Sequence, residues 1–256
     1  MKNKIAIYRC MFSDYDVALS ELKIYENIDY YFFTDNPNLK IYPYKTILVT
    51  PQYGSPSLDN RFIKIILPEI LKSYDVTLYI DTNIAIVNNI QNLIDKFIIS
   101  ECDIGLFSHP YHDNLESEVK LCIDNNKSNK ERLMKELDHY ADLGLSESNK
   151  FSDNSIIFRK KHDLNMKKGM QHWFDLVKSF SGRDQISLPA IRSKYNFKEF
   201  FFDFSPRTPH NNYFIVFPHK EQWKISSIIK LLNFYARFLV KIIKRNLNFY
   251  RNRNGR

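Results

Sequence analysis

The stretch LYIDTNIAI, residues 78–86, has the pattern of a buried strand that ends on a carboxylate. The residues before Asp81 are mostly apolar and prone to β-structure, and after Asn83 the chain turns apolar again. A carboxylate among apolar neighbours is costly unless it is paired or binds a cation. The stretch therefore predicts either a metal site or a turn at a strand end, capped by Asp81 with Asn83 in the left-handed conformation.

The pattern of apolar residues around this stretch predicts an α/β fold. Strands alternate with helices in the first half, which favours a central mixed, mostly parallel sheet flanked by helices. Short β-prone runs predict strands at 4–8, 30–34, 46–49, 76–80, 84–87, 103–107 and 154–158. Helical spacing predicts helices at 58–74 with a possible kink at Pro68, at 89–99, at 127–145 and at 164–180.

Composition and charge exclude several classes of function. The chain of 256 residues has 44% hydrophobic residues, enough for a sizeable core, and three scattered cysteines that indicate a reducing compartment. The six glycines form no GxGxxG or Walker loop, so the usual dinucleotide and P-loop cradles are not expected. No apolar run is long enough for a membrane span, and the N-terminus does not resemble a signal peptide, so we expect a cytoplasmic protein.

The net charge of +8 is concentrated in the last part of the chain. From Lys220 onward there are 10 Lys and Arg residues and one acid, whereas the rest has 27 basic and 28 acidic residues. A nucleic-acid groove would spread basic residues over the body, so we expect no nucleic-acid partner. The simplest organisation is one domain over 1–219 and a basic tail over 220–256.

Six short blocks together resemble a known family. In an open α/β sheet, ligands bind beyond the carboxyl ends of the strands, where Asp35 and Asp81 fall. The ordered blocks resemble the glycosyltransferase-like family catalogued as domain of unknown function 616, which has relatives in bacterial surface-polysaccharide clusters and in the plant Golgi. The likeness extends from about residue 5 to about 210, and it implies a GT-A type fold with a nucleotide-binding half and an acceptor-binding half. The blocks are YFFTDN (31–36), RFIKIILPEIL (61–71), LYIDTNIAI (78–86), SHP (108–110), NSIIFRKKHD (154–163) and SGRDQISL (181–188).

The resemblance places a metal site at the opening stretch. Asp81 and Asn83 stand where such enzymes carry an Asp-x-Asp-like motif, and Mg²⁺ or Mn²⁺ there would bridge the donor diphosphate. An amide is a weaker ligand than a carboxylate, so Asp81 would act alone or through water if Asn83 does not bind. His210 is the expected third ligand, with His219 as a competitor.

The block RDQ, residues 183–185, supplies the expected reaction centre. The resemblance places Asp184 near the reacting sugar, either as a general base or as a group that holds sugar hydroxyls. Arg183 would orient Asp184 or neutralise phosphate, and Gln185 would contact the donor. The alternative is that Asp184 caps the N-terminus of a helix over 184–195.

Four further residues are candidates for donor binding. Arg61 and Lys64 share one face of the 58–74 helix and would contact the diphosphate, unless that face is simply solvated. Asp35 would bind the base or ribose, or else form a turn. His109 would line the donor pocket, or else be an ordinary hydrogen-bonded histidine.

Residues 223–250 have the pattern of a basic amphipathic helix. At about 100° per residue, Lys230, Arg237, Lys241 and Lys244 share one narrow face, opposite a broad apolar face. Such a helix binds an anionic membrane surface, although its apolar face would also dock on the body or on a second subunit.

These patterns predict a metal-dependent glycosyltransferase, peripheral at the inner face of the bacterial cytoplasmic membrane. Its donor would be a nucleotide-diphosphate sugar, with a UDP-sugar as the first candidate. Its acceptor would be a surface glycan, either free or linked to a lipid. The rivals are a nucleotidyltransferase and a non-catalytic glycan-binding or scaffold protein on the same fold.

Overall fold

The structure is a computed structural model that describes residues 3–21, 24–111, 114–143, 150–160, 163–208 and 211–220. Its centre is a seven-stranded sheet in the order β3–β2–β1–β4–β7–β6–β8. Four neighbouring pairs are parallel, whereas β7 is antiparallel to both of its neighbours. The prediction of an α/β fold with a mixed, mostly parallel sheet is therefore confirmed. The strands are β1 Ile5–Met11, β2 Ile28–Thr34, β3 Lys45–Leu48, β4 Val76–Ile80, β5 Ile84–Ile86, β6 Ile104–Ser108, β7 Ser152–Arg159, β8 Glu199–Phe202 and β9 Phe214–Val216.

Helices cover both faces of the sheet. Successive side chains of strand β1 point to opposite faces of the sheet and enter two different cores. Ala6 and Tyr8 pack in the first core, whereas Ile5 and Ile7 pack in the second. The first core lies under helices α1 and α3–α6, and the second lies under α2 and the small antiparallel sheet of β5 and β9. Within the described residues, none of the helices combines the length and the hydropathy of a membrane-spanning segment. The helices are α1 Pro56–Ile65, α2 Gln91–Ile99, α3 Leu115–Asp124, α4 Lys130–Asp142, α5 Leu164–Ser179 and α6 Asp184–Tyr195, with a short 3₁₀ helix at Glu69–Leu71.

The directions of the strands bring several polar segments to one edge of the sheet. Strands β1, β2, β4, β6 and β8 point the same way, so their carboxyl ends share this edge. Because β7 runs in the opposite direction, its first residues lie there as well. The edge therefore collects Asp35, Asp81, Asp153, His109 and the segment after β8.

The helix predicted over 58–74 is shorter than expected. Helix α1 begins at Pro56 and ends at Ile65, and Ile66 is already extended with ψ 112°. Pro68 disfavours the helical conformation at the residue before it and cannot donate a backbone N–H, so it ends the helix instead of kinking it. Helix α4 also starts later than the predicted 127, because the Asn129 side chain accepts from the Arg132 N–H at 3.0 Å and caps it.

Candidate functional site

The turn after β4 holds Asp81 at the edge of the sheet. Its backbone N–H donates to the Ser155 carbonyl on β7 at 2.8 Å, and its carbonyl accepts from the Ile84 N–H at 3.1 Å. The carboxylate accepts from the Tyr79 hydroxyl at 2.8 Å, yet the side chain is 25% exposed. Asp81 is thus fixed at its backbone and open at its carboxylate.

Asn83 differs from Asp81 in accessibility. It is only 2% exposed. It is also not among the described residues with a positive φ, so the left-handed conformation proposed for it is wrong. Of the two motif residues, Asp81 presents the accessible oxygen.

Lys64 and Arg61 extend from α1 toward the carboxylates. Lys64 Nζ lies 2.7 Å from Asp184 Oδ2 and 3.7 Å from Asp81 Oδ1, and Arg61 Nε lies 3.0 Å from Asp184 Oδ1. The contacts of Asp184 with Lys64 and Arg61 are therefore ion pairs between largely buried side chains. The Lys64 side chain is 3% exposed and that of Arg61 is 17%, so a simply solvated basic face is wrong.

Asp184 is the first residue of α6 and is almost completely buried. The N-cap position belongs to Arg183, which makes no side-chain cap, so the capping role considered for Asp184 is wrong. The Asp184 carbonyl accepts from Asn154 Nδ2 and from Trp173 Nε1, both at 3.1 Å. These bonds fix the start of α6 against β7 and α5.

The electrostatics at Asp184 favour a permanent carboxylate. Burial alone would raise the pKa of Asp184, but Arg61 and Lys64 outweigh burial and lower the pKa well below its usual value. A general base works best with a pKa near the working pH. Asp184 is therefore poorly matched to proton abstraction and well matched to holding two cations.

Three other predicted residues meet around Glu118 on α3, which is 1% exposed. His109 Nε2 lies 3.7 Å from Glu118 Oε2, and Arg183 Nη2 lies 3.8 Å from Glu118 Oε1. Arg183 Nη2 also donates to Gln185 Oε1 at 3.1 Å. The structure thus joins His109, Arg183 and Gln185 in one cluster beside the start of α6.

Asp35 lies at the same edge, beyond β2. Its two carboxylate oxygens accept from the Ser13 N–H at 2.9 and 3.1 Å, which ties the loop after β1 to the end of β2. Asp35 is half-buried, so this contact fixes the loop and leaves part of the side chain at the surface. Its predicted contact with a base or ribose stays a prediction.

Two charge pairs at this edge, each with at least one fully buried member, were missing from the sequence-based prediction. Asp153 on β7 is fully buried and accepts from Arg207 Nε at 3.0 Å, and Asp81 also contributes to raising the pKa of Arg207. Arg9 on β1 is fully buried and pairs with Glu21. A single arginine inside the apolar run IAIYRCM was the signal for the second pair.

The described residues fit a cation that a ligand helps to hold. Among them, no group of three or more His, Cys, Asp or Glu side chains is arranged to bind a metal. Asp81 nevertheless offers a hard, accessible oxygen, and Mg²⁺ commonly binds through one or two carboxylates together with substrate phosphates. His210 lies outside the described residues, so the choice between His210 and His219 stays open.

The fold and this edge define a class: an α/β protein with a cluster of charged side chains beyond the carboxyl ends of its strands. The chain belongs to the TOD1/MUCI70 family, since that family's glycosyltransferase-like domain model matches residues 34–219. The match covers Asp35, Arg61, Lys64, Asp81 and Asp184, and it confirms the expected glycosyltransferase-like family. No curated protein matches the chain. Among solved structures, mouse xyloside xylosyltransferase 1 in its apo form is similar at 11% identity and a TM-score of 0.47, over 77% of this chain and 84% of that chain.

Proposed function

We propose that this protein is a GT-A type glycosyltransferase whose donor is a nucleotide-diphosphate sugar. A UDP-sugar is the first candidate for that donor. The observation that carries the proposal is the placement of Asp81, Lys64, Arg61 and Asp184 together at the edge of a sheet in a glycosyltransferase-like domain. An accessible carboxylate next to two cationic side chains suits a diphosphate and its counter-ion.

The balance of fixed charge supports a divalent cation. Arg61 and Lys64 carry two positive charges, and Asp81 and Asp184 carry two negative charges. The nearby Arg183 and Arg207 also face carboxylates, those of Glu118 and Asp153. A diphosphate would therefore enter a site whose own charges cancel, and Mn²⁺ or Mg²⁺ bound with it would restore neutrality.

Asp81 would hold this ion, with His210 as the proposed further ligand, whereas Asn83 is only 2% exposed. When bound, the ion supplies Lewis-acid stabilisation of the departing nucleoside diphosphate. Lys64 and Arg61 would add positive charge for the diphosphate, and their ion pairs with Asp184 already hold them in place. We propose this positioning role for Asp184, since its lowered pKa and burial argue against a base.

The proposed acceptor is a surface glycan, either free or linked to a lipid. The support is the sequence of the tail, which lies outside the described residues: 10 basic residues and one acid follow from Lys220, with an amphipathic spacing. We propose that residues 223–256 bind the anionic inner face of the cytoplasmic membrane and bring the domain to such an acceptor.

The test is a screen of nucleotide sugars for binding and for slow hydrolysis, with Mn²⁺ and with EDTA. A transferase usually cleaves its donor slowly without an acceptor, and here cleavage should require the metal and Asp81. Asp95→Ala on α2 is the matched control, since Asp95 is exposed and its carboxylate accepts from Gln91 at 2.9 Å on the same helix. Binding without any hydrolysis would favour the non-catalytic alternative, and diphosphate release from nucleoside triphosphates would favour a nucleotidyltransferase.

A further inference from the structure

The buried Arg9 contacts the backbone of the turn that carries Asp81. Arg9 Nη1 donates to the Asp81 carbonyl at 3.2 Å and to the Thr82 carbonyl at 3.1 Å. Arg9 lies on β1, the neighbour of β4, and is 0% exposed. A guanidinium in this position orders two successive carbonyls with one rigid, planar group.

Arg9 is itself held by two side chains. Its Nη2 donates to Glu21, its Nε donates to the Tyr44 hydroxyl, and that hydroxyl donates to Glu21. Burial alone would lower the pKa of Arg9, but Glu21 and Tyr44 raise it, so the guanidinium stays charged. We call Arg9, Glu21 and Tyr44 the arginine network.

The arginine network also reaches the far side of the turn. Glu21 Oε2 accepts from the Ile86 N–H at 3.4 Å. Strand β7 holds the Asp81 N–H through the Ser155 carbonyl, and Ile84 closes the turn on the Asp81 carbonyl. The backbone of the turn is therefore held from β1, from β7 and by its own hydrogen bond, which leaves the Asp81 side chain as the part that faces solvent.

We propose that Arg9 is a positioning residue that fixes the direction of the Asp81 carboxylate. The carbonyls of Asp81 and Thr82 turn inward to the guanidinium, so the orientation of the peptide planes on both sides of Thr82 is set, and with it the exit of the Asp81 side chain. Arg9 acts through the backbone and does not touch the ligand. The part of the inference that concerns nucleotide rests on the proposed function.

The first experiment uses the ligand-free full chain and does not depend on activity. Arg9→Lys keeps the charge but loses the planar group that reaches two carbonyls and Tyr44 together. Amide hydrogen exchange in residues 81–86 should then rise at least tenfold, while exchange in β7 stays within twofold. Arg192→Lys is the matched control, since Arg192 is also buried, pairs with Glu199 and donates to the Lys150 carbonyl at 2.7 Å. Unchanged exchange in 81–86 would overturn the inference.

The second experiment measures UDP affinity in the presence of Mn²⁺. Arg9→Lys should weaken binding at least tenfold, whereas Arg192→Lys should change it less than twofold. In an Asp81→Ala background the effect of Arg9→Lys should fall below twofold, because the group that Arg9 positions is gone. An equal effect in both backgrounds would show a general structural role and overturn the inference.

Tyr44→Phe keeps the test available if Arg9→Lys does not fold. It removes one hydroxyl and leaves both carbonyl bonds, so exchange in 81–86 should rise about two- to fivefold; no rise would overturn the inference. If the wild-type protein binds no UDP, the proposed donor is wrong, and the exchange measurements alone then decide the role of Arg9.

Discussion

The turn after β4 and the start of α6 each carry one carboxylate, and the two share Lys64. Asp81 in the turn is a quarter exposed and lies 3.7 Å from Lys64, whereas Asp184 is 3% exposed and lies 2.7 Å from it. Asp184 also has Arg61 at 3.0 Å, while the Asp81 carboxylate accepts from a neutral hydroxyl. Proximity in one site therefore does not give two carboxylates the same chemistry: the open one suits a ligand's cation, and the buried one suits fixed side-chain cations.

The largest effect should follow from removing the open carboxylate. Asp81→Ala should lower donor turnover at least about a thousandfold, because the metal and the diphosphate lose their protein ligand. Stability should change by less than about 1 kcal/mol, since the side chain is partly exposed and its ion pair is long. Steady-state kinetics measures the loss of turnover, and urea unfolding measures the change in stability. If the variant kept its turnover, Asp81 would not be part of the site.

Asp184→Asn should act mainly on stability and on the two cations. It leaves Arg61 and Lys64 buried near a neutral amide, so we expect a loss of about 3 kcal/mol. The pH profile of the remaining turnover should keep its shape, because Asp184 is not the base. If the folded variant lost about 10²–10⁴-fold in rate and also lost one ionisation from that profile, Asp184 would be the general base after all.

Lys64 should connect the two regions. Lys64→Met keeps an unbranched side chain of similar size and removes the charge, so donor affinity should fall about tenfold through lost contact with the diphosphate. Lys72→Met is the control, since Lys72 is 37% exposed and pairs with the exposed Glu69. A matching loss of affinity in both variants would mean that overall charge matters and not the placement of Lys64.

Acid should remove the contribution of Asp184 to the free energy of unfolding. The pKa of Asp184 is lowered in the folded protein, so its charged form contributes stability above the ordinary carboxyl pKa of about 4, and this contribution is lost as the pH falls further. The difference in unfolding free energy between wild type and Asp184→Asn should therefore shrink from pH 7 to pH 3. A constant difference across that range would contradict the assigned ion pairs.

Removal of the tail should leave the binding of the nucleotide sugar at Asp81 and Lys64 unchanged. A chain that ends after Glu221 should bind its nucleotide sugar normally but no longer sediment with anionic liposomes, because the basic residues and the apolar face are gone. Turnover of a lipid-linked acceptor should fall, and that of a soluble mimic should not. An unfolded or differently associated truncated protein, together with a full chain that ignores liposomes, would mean that the tail docks on protein.

The sequence predicts the sheet well because its strands are short apolar runs whose ends coincide with polar residues. It places Asp81 at the end of a strand for the same reason, whereas the exposure of the Asp81 carboxylate is known only from the structure. The prediction omits helix α3 and strands β8 and β9, although the runs EFFF and FIV of the two strands are apolar and prone to β-structure. Pro68 was expected to kink a helix that in the structure has already ended at Ile65.

The charge pairs of the site are harder to predict than the strands. Arg61 and Lys64 lie more than a hundred positions before Asp184, and the fold brings them together because α5 packs against both α1 and α6. The arginine network has the same difficulty, since Arg9, Glu21 and Tyr44 lie in three separate segments. Local pattern gives the type of each residue, whereas its partner depends on the fold.

The most direct measurement is a calorimetric titration of UDP into wild type and Asp81→Ala, each with Mn²⁺ and with EDTA. The open carboxylate should make Mn²⁺ raise the affinity of the wild type at least tenfold and leave that of Asp81→Ala unchanged. An equal response to Mn²⁺ in both proteins, or equal wild-type affinity with EDTA, would contradict the assignment of Asp81 as the metal ligand at the donor diphosphate.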